Sequence, residues 1–234
     1  MTAVVALSTS TLSDMSISTD LITTSLRAFE MDASKSAEIA NILAAGTNYS
    51  KLTMQDLKVA FNYVASAGHQ AGLSLEQVVA ALGTMRDRGI QASTMATGLR
   101  GILGVLIAPT DRFRKEIEKV GLNMKEVSPL YNDFGDILVK LRDHGFSVEN
   151  AFAGVDKRQA GAIITVIQGA DAFKNLTGRI TDTNAAFEMQ SIQLETVQSA
   201  WLLFKNNLTK IGLKIGSAFL PALNSIISPL RVIS

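Results

Sequence analysis

Histidines and paired carboxylates are the side chains of this sequence that could support metal or acid–base chemistry. His69 and His144 are the only histidines, and the absence of cysteine excludes thiolate ligands and disulfides. Neither histidine belongs to an H-E-x-x-H motif or a similar cluster of ligands. Both lie near the expected C-terminus of a helix, where the helix dipole favours a cation. We therefore expect structural histidines and neither a metal nor a cofactor.

Two pairs of carboxylates are candidates for general acid–base catalysis: Glu30 with Asp32, and Asp133 with Asp136. A glycosidase holds such a pair about 5 to 9.5 Å apart across a cleft. Both pairs stand in turns or at expected helix starts, where carboxylates act as caps. No loop rich in Gly, Asn, Tyr and Trp accompanies them, and no phosphate-binding glycine motif is present. The sequence therefore predicts that the protein is not an enzyme.

The composition indicates helices that pack through small side chains. Of the 234 residues, 47% are hydrophobic but only 6% are aromatic, and the net charge is +1. Because basic residues are scattered among acidic ones, we expect no specific nucleic-acid recognition. The first residues lack the features of a signal peptide, and no run reaches the ~18 apolar residues of a membrane span. These features predict a soluble, all-α protein.

The stretch 67–110 has the clearest helical pattern and predicts a hairpin of two helices. Ser74 and Gln77 form a capping-box pattern at the start of the first helix. Gly89 supplies the flexible position at which this helix can end and the turn to the second can begin. Arg86 lies at the polar end of the first helix, so its replacement by alanine should cost no more than roughly 0.5 kcal/mol. The second helix starts near Ser93 and stops before Pro109. Among the apolar positions of the two helices, we expect Leu82 and Leu99 to be packing residues.

Similar patterns predict an array of helical hairpins. Capping residues recur at Ser34, Thr53, Ser74 and Ser93, at intervals of 19, 21 and 19 residues. A helix capped at Ser34 would end at Gly46, and an earlier short helix covers residues 19–30. We expect a hairpin array over residues 1–120 and a second helical subdomain over residues 121–182. The second contains helices near residues 133–144, 147–153 and 156–167.

From about residue 183 the pattern changes to a heptad repeat, which predicts a long amphipathic helix over residues 183–234. Gly212 and Gly216 form a G-x-x-x-G motif in it, which allows close approach of another helix in protein or, alternatively, in a bilayer. We expect the preceding helices to cover this surface in part, and other copies of the chain or other components of the same assembly to contact the rest. The predicted seam consists of Phe187, Gln190, Leu194, Val197, Trp201, Phe204, Leu208, Ile211 and Ile215.

Three stretches of the chain resemble phage tail tape measure proteins, the minor tail proteins of long-tailed bacteriophages and prophages. They are AGLSLEQVVAALGTMRDRGIQASTMATGLRGIL (71–103), VDKRQAGAIITVIQG (155–169) and WLLFKNNLTKIGLKIGSAFLPAL (201–223). In order along the chain, they extend the resemblance over roughly residues 20–230. None of the three is a catalytic signature.

The resemblance implies a structural component of the virion tail, made in the host cytoplasm, that sets tail length during tube assembly. It implies other tape measure copies, tail tube and tail tip proteins and tail assembly chaperones as partners. Tape measure proteins are generally several times longer, so we expect this chain to be a fragment or the product of a split gene, with a domain that flanks the ruler segment. Two alternatives are a membrane-active helical module that contacts the host membrane and aids genome passage, and a tail-associated cell-wall hydrolase.

Overall fold

The structure, a computed structural model, describes residues 2–196, which form helices and turns and contain no strand. The all-α prediction is confirmed for this part of the chain. Residues 185–196 are also helical. The other elements are α1 (Thr2–Thr11), α2 (Met15–Ala28), a 3-10 turn (Ala33–Lys35), α3 (Ser36–Asn48), α4 (Met54–Gln70), α5 (Leu75–Asp87), α6 (Ala92–Ile107), α7 (Asp111–Lys119), α8 (Phe134–Asp143), α9 (Val148–Gly154), α10 (Lys157–Gln168) and α11 (Ala170–Ile180).

The helices with the clearest capping motifs in the sequence, α4 and α5, begin with side-chain caps. The Thr53 hydroxyl accepts from the backbone N–H of Asp56, whose carboxylate accepts in return from the backbone N–H of Thr53. Ser74 and Gln77 form the same reciprocal pair at α5. Gly89 has a φ of +86° after α5, a conformation that glycine adopts without steric cost. The predicted α5–α6 hairpin is therefore present.

Other helix ends differ from the prediction. Asp32, rather than Ser34, accepts a backbone hydrogen bond and starts a 3-10 turn before α3. Gly46 lies inside α3 instead of ending it, and the side chain of Val79 in α5 occupies the space that a side chain at this position would need. α6 begins after Gln91, which makes no side-chain capping bond. The sequence also did not predict α1 or α11.

The chain divides after Gln190 into two units, Met1–Gln190 and Ser191–Ser234. The first unit extends across the expected boundary near residue 120, because α10 packs against α6 and α11 packs against α5. In the helical residues 185–196, Phe187 packs partly buried against the core and Leu194 is exposed. The remaining predicted contact positions, Trp201, Phe204, Leu208, Ile211, Gly212 and Gly216, lie outside the described residues.

Within residues 2–196, no single helix is both long enough and apolar enough to cross a bilayer. α6 and α7 meet the length and composition criteria only as a pair, and they are bent by 83° relative to each other.

Candidate interaction surface

Helix α5 lies at the centre of the first unit, and the hairpin that it forms with α6 is core. It packs against α3, α4, α6, α10 and α11. Leu82 of α5 and Leu99 of α6 have no exposed surface. The structure therefore places both leucines where they hold helices together and where no partner can reach them.

Two of the glycines of α6 allow another helix to approach closely. A Cβ atom on Gly98 would collide with the Cβ of Ala162 in α10, and one on Gly101 would collide with the side chain of Gln159. Gly104 is different, because a Cβ there would meet nothing within 4 Å. Gly98 thus sets the distance between α6 and α10, because Ala162 cannot move without its helix, whereas the end of the Gln159 side chain can rotate away from Gly101. Gly104 lies on an exposed part of α6.

The carboxylates of Asp133 and Asp136 cap a helix and pair with neighbouring helices; they do not face each other across a cleft. One oxygen of Asp133 accepts backbone hydrogen bonds from Gly135 at 2.8 Å and from Asp136 at 3.2 Å, which caps α8. The other accepts from the side-chain amide of Gln77 at 2.5 Å. Asp136 pairs with Lys174 of α11 at 2.8 Å, and this ion pair raises the pKa of the lysine. These carboxylates therefore connect α5, α8 and α11.

The other candidate pair of carboxylates, Glu30 and Asp32, also lies where helices end and begin. Asp32 caps the 3-10 turn, and the backbone N–H of Ser34 bonded to its carboxylate at 2.8 Å is the main cause of its lowered pKa. Glu30 has a φ of +53° in the turn after α2. Across residues 2–196, no group of three or more His, Asp or Glu side chains could hold a metal ion. In both candidate pairs, a carboxylate thus stabilises a helix end.

Both histidines lie at helix ends, as the sequence indicated. His69 is in the last turn of α4, and its ring meets the ring of Phe29 edge-on, with 5.6 Å between the centroids. His144 follows α8, and its Nδ1 lies 3.1 Å from the carbonyl oxygen of Val120. These contacts give each histidine a packing or turn-stabilising role.

Glu116 of α7 is a buried carboxylate that sequence reasoning missed. Its side chain accepts a hydrogen bond from Lys119 at 2.6 Å and another from Asn150 of α9 at 2.9 Å. The bond from Lys119 is the main cause of a lowered pKa of Glu116, with the Asn150 bond second. Asn150 also completes the capping box that begins α9. Glu116 therefore joins α7 to the first turn of α9.

The surface feature that best fits a binding role lies between the end of α6 and the loop from α7 to α8. Ile107, Leu130 and Tyr131 are respectively 37%, 56% and 70% exposed there. Together with Arg114 and Lys125 they line one groove. These residues carry no signal in the sequence, because alternation and spacing do not reveal which apolar side chains of a loop remain uncovered.

Comparison with known proteins places the chain among phage tail proteins. The family described as "Phage-related minor tail protein" matches residues 1–169. The "Tape measure protein" of Pneumococcus phage Dp-1 is 27% identical over 163 residues, which are 70% of this chain and 14% of that protein. The "Probable tape measure protein" of Escherichia phage P2 is 28% identical over 99 residues, or 42% of this chain and 12% of that protein.

This chain therefore spans only a small part of the length of these relatives. No solved structure matches it significantly. The family match covers most of the chain, and both relatives carry the name that the three sequence stretches indicated. The chain belongs to the family of phage-related minor tail proteins.

Proposed function

We propose that this chain is a non-catalytic, structural region of a phage tail tape measure protein. It helps to set tail length and to organise the assembly of the tail tube. The observation that carries the proposal is that the family match, residues 1–169, lies within the helical unit Met1–Gln190 and covers most of it. Its place is the virion tail, after synthesis in the host cytoplasm. Its partners are other tape measure copies, tail tube and tail tip proteins and assembly chaperones.

The shape of the first unit supports a role beside the ruler rather than as the ruler itself. A single helix of all 234 residues would be roughly 350 Å long at ~1.5 Å per residue. The longest of the helices named above, α4, has only 17 residues, and residues from α1 to α11 share one core. We therefore propose that this unit is a folded domain that accompanies extended ruler segments elsewhere in the full protein.

Tail assembly in a phage that carries the gene tests this proposal. Gly98→Leu drives a large side chain against Ala162 and should separate α6 from α10. We expect tails that are absent or irregular in length by electron microscopy. Gly104→Ala, on the same helix but facing open space, should leave the tail-length distribution unchanged.

Two outcomes would contradict the proposal. Normal tails from Gly98→Leu particles, when circular dichroism shows that the purified variant has lost helix, would show that this fold is not needed for assembly. An in-frame deletion of residues 2–190 that yields intact tails shortened in proportion to the deletion would show that the region measures length as an extended ruler.

A further inference from the structure

The groove between α6 and the α7–α8 loop combines exposed apolar side chains with basic ones. Its exposed apolar surface comes mainly from Ile107 at the end of α6 and from Leu130 and Tyr131 in the loop. Single exposed apolar residues are ordinary, but apolar side chains grouped in a groove are typical of interaction sites. The residues that line it are Leu106, Ile107, Pro109, Arg114, Met124, Lys125, Ser128, Leu130 and Tyr131.

The loop that carries Leu130 and Tyr131 is held in place by hydrogen bonds and by buried anchors. The side-chain amide of Asn132 donates to the carbonyl oxygens of Lys125 at 2.8 Å and Ser128 at 3.1 Å. Val127 is fully buried, so the loop is anchored in the core immediately before these exposed residues. Leu130 and Tyr131 remain uncovered on a braced loop, which lowers the entropy cost of binding a partner.

The first half of the same loop is braced as well. Asn123 donates to the carboxylate of Glu126 through its backbone N–H at 3.0 Å and its side-chain amide at 2.6 Å. The other carboxylate oxygen of Glu126 lies 3.8 Å from the ammonium of Lys140 in α8. Glu126 is thus engaged by the loop and by α8, and it does not line the groove.

The charge of the groove is positive. Arg114 and Lys125 are the charged side chains that line it, both are exposed, and no carboxylate of the described residues lines it. The Lys125 ammonium lies 5.9 Å from the centre of the Tyr131 ring, which places positive charge beside the most exposed aromatic side chain of the patch. Tyrosine and arginine are enriched among residues that dominate binding energy. A partner with carboxylates beside an apolar face complements this surface.

We propose that this groove binds an amphipathic helix of another protein, with an apolar face that covers Ile107, Leu130 and Tyr131. Carboxylates beside that face pair with Arg114 and Lys125. A helix is favoured over an added strand because the described part of the chain contains no sheet edge that a strand could extend. The inference rests on this surface alone and does not depend on the role in tail assembly.

Two synthetic helical peptides test the proposal by fluorescence anisotropy with the full chain. Both carry leucine along one face, and they differ only in glutamate or lysine at the flanking positions. We expect the glutamate peptide to bind at least about 10-fold more tightly than the lysine peptide, which corresponds to roughly 1.4 kcal/mol. Added salt should weaken the binding of the glutamate peptide, because surface ion pairs are screened.

Variants of the chain separate the apolar and charged contributions. The double variant Arg114→Glu with Lys125→Glu should reverse the preference, so that the lysine peptide binds more tightly. The double variant Leu130→Ser with Tyr131→Ser should bind the glutamate peptide at least about 10-fold more weakly, since tyrosine at the centre of a site commonly dominates affinity. Tyr63→Ser is the matched control, because Tyr63 is 50% exposed on α4 and is not among the groove residues.

Several results would overturn the proposal. The first is that neither peptide binds, and the second is that both bind with equal affinity. The third is that the double variant Arg114→Glu with Lys125→Glu still prefers the glutamate peptide. Loss of binding in Tyr63→Ser equal to that in the loop variant would show that the peptides bind elsewhere. Circular dichroism of each variant confirms that the fold is retained, which is expected because all the substituted side chains are exposed.

Discussion

The guanidinium of Arg86 donates a hydrogen bond to the carboxylate of Asp56 over 3.1 Å and so joins α5 to the first turn of α4. The same oxygen of Asp56 accepts from the backbone N–H of Thr53 at 3.0 Å and from its hydroxyl at 2.9 Å. Only 31% of the Arg86 side chain and 14% of the Asp56 side chain are exposed. Arg86 is therefore not the freely solvated helix end that the sequence pattern indicated.

Arg86→Ala should lower the free energy of unfolding by about 1 to 2 kcal/mol, because Asp56 loses a charge-assisted bond at a largely buried position. Urea denaturation of the purified chain measures this loss. Arg100→Ala, at an exposed arginine of α6, is the control and should stay within roughly 0.5 kcal/mol of the unsubstituted chain. Equal effects of the two substitutions would show that the ion pair contributes nothing.

Leu82→Ala and Leu99→Ala should each lower the free energy of unfolding by about 2 to 5 kcal/mol, because each removes a fully buried side chain and leaves a cavity. Leu12→Ala provides the comparison, since Leu12 is 77% exposed and its truncation opens no cavity. A loss for Leu82→Ala as small as that for Leu12→Ala would mean that α5 is not the central helix of the core.

The sequence predicted helix starts best where a side chain alone determines the cap. Thr53 and Ser74 are followed three residues later by Asp56 and Gln77, so the whole capping motif is local and can be read directly. α6 has no side-chain cap at Gln91, and its start therefore depends on packing. Gly46 misled the prediction because its role is a contact with another helix rather than a turn.

The groove that carries Leu130 and Tyr131 could not be predicted from the sequence, for a related reason. Leu130 and Tyr131 have the same residue types as core positions, and only the fold determines that Val127 turns inward while these two face solvent. The contact between Gly98 and Ala162 crosses the expected boundary near residue 120 and joins distant parts of the chain. Long-range contacts of this kind leave no periodic signal.

Gly98→Ala and Gly104→Ala should change stability in opposite directions, although both replace a glycine of α6. Alanine at position 98 forces α6 and α10 apart, and overpacking of this kind costs about 1 to 3 kcal/mol. At Gly104 the new methyl group meets open space, so the higher helix propensity of alanine should add up to ~1 kcal/mol. Thermal unfolding of the two variants measures the difference, and a shift of the same sign in both would contradict the close packing at Gly98.

Glu116→Gln should destabilise the chain at neutral pH and much less in acid. Because the pKa of Glu116 is lowered from its ordinary value of 4.5 in the folded state, its ionised form stabilises the fold above that value. This contribution is lost as the pH falls through the lowered folded-state pKa. The difference in unfolding free energy between the two proteins should therefore narrow as the pH falls below 4.5.

Urea denaturation at several pH values tests this behaviour. Glu118→Gln, at an exposed position of the same helix, is the control and should change stability little at pH 7. A difference between the unsubstituted chain and Glu116→Gln that stays constant from pH 7 to pH 3 would show that ionisation of Glu116 does not contribute to folding.

Thr84→Val should stabilise the protein, because the hydroxyl of Thr84 is buried in α5 and has no hydrogen-bond partner among the described residues. Valine has nearly the same shape, so the substitution removes the desolvation cost of the hydroxyl and keeps the methyl group that contacts Gly169. We expect a gain of about 1 kcal/mol in unfolding free energy, or roughly 2 to 4 °C in Tm. Thr177→Val is the matched control: its hydroxyl donates to the carbonyl oxygen of Phe173 at 2.8 Å, so its loss should not stabilise the chain. A destabilised Thr84→Val protein would mean that the Thr84 hydroxyl gains a partner in solution, such as a buried water.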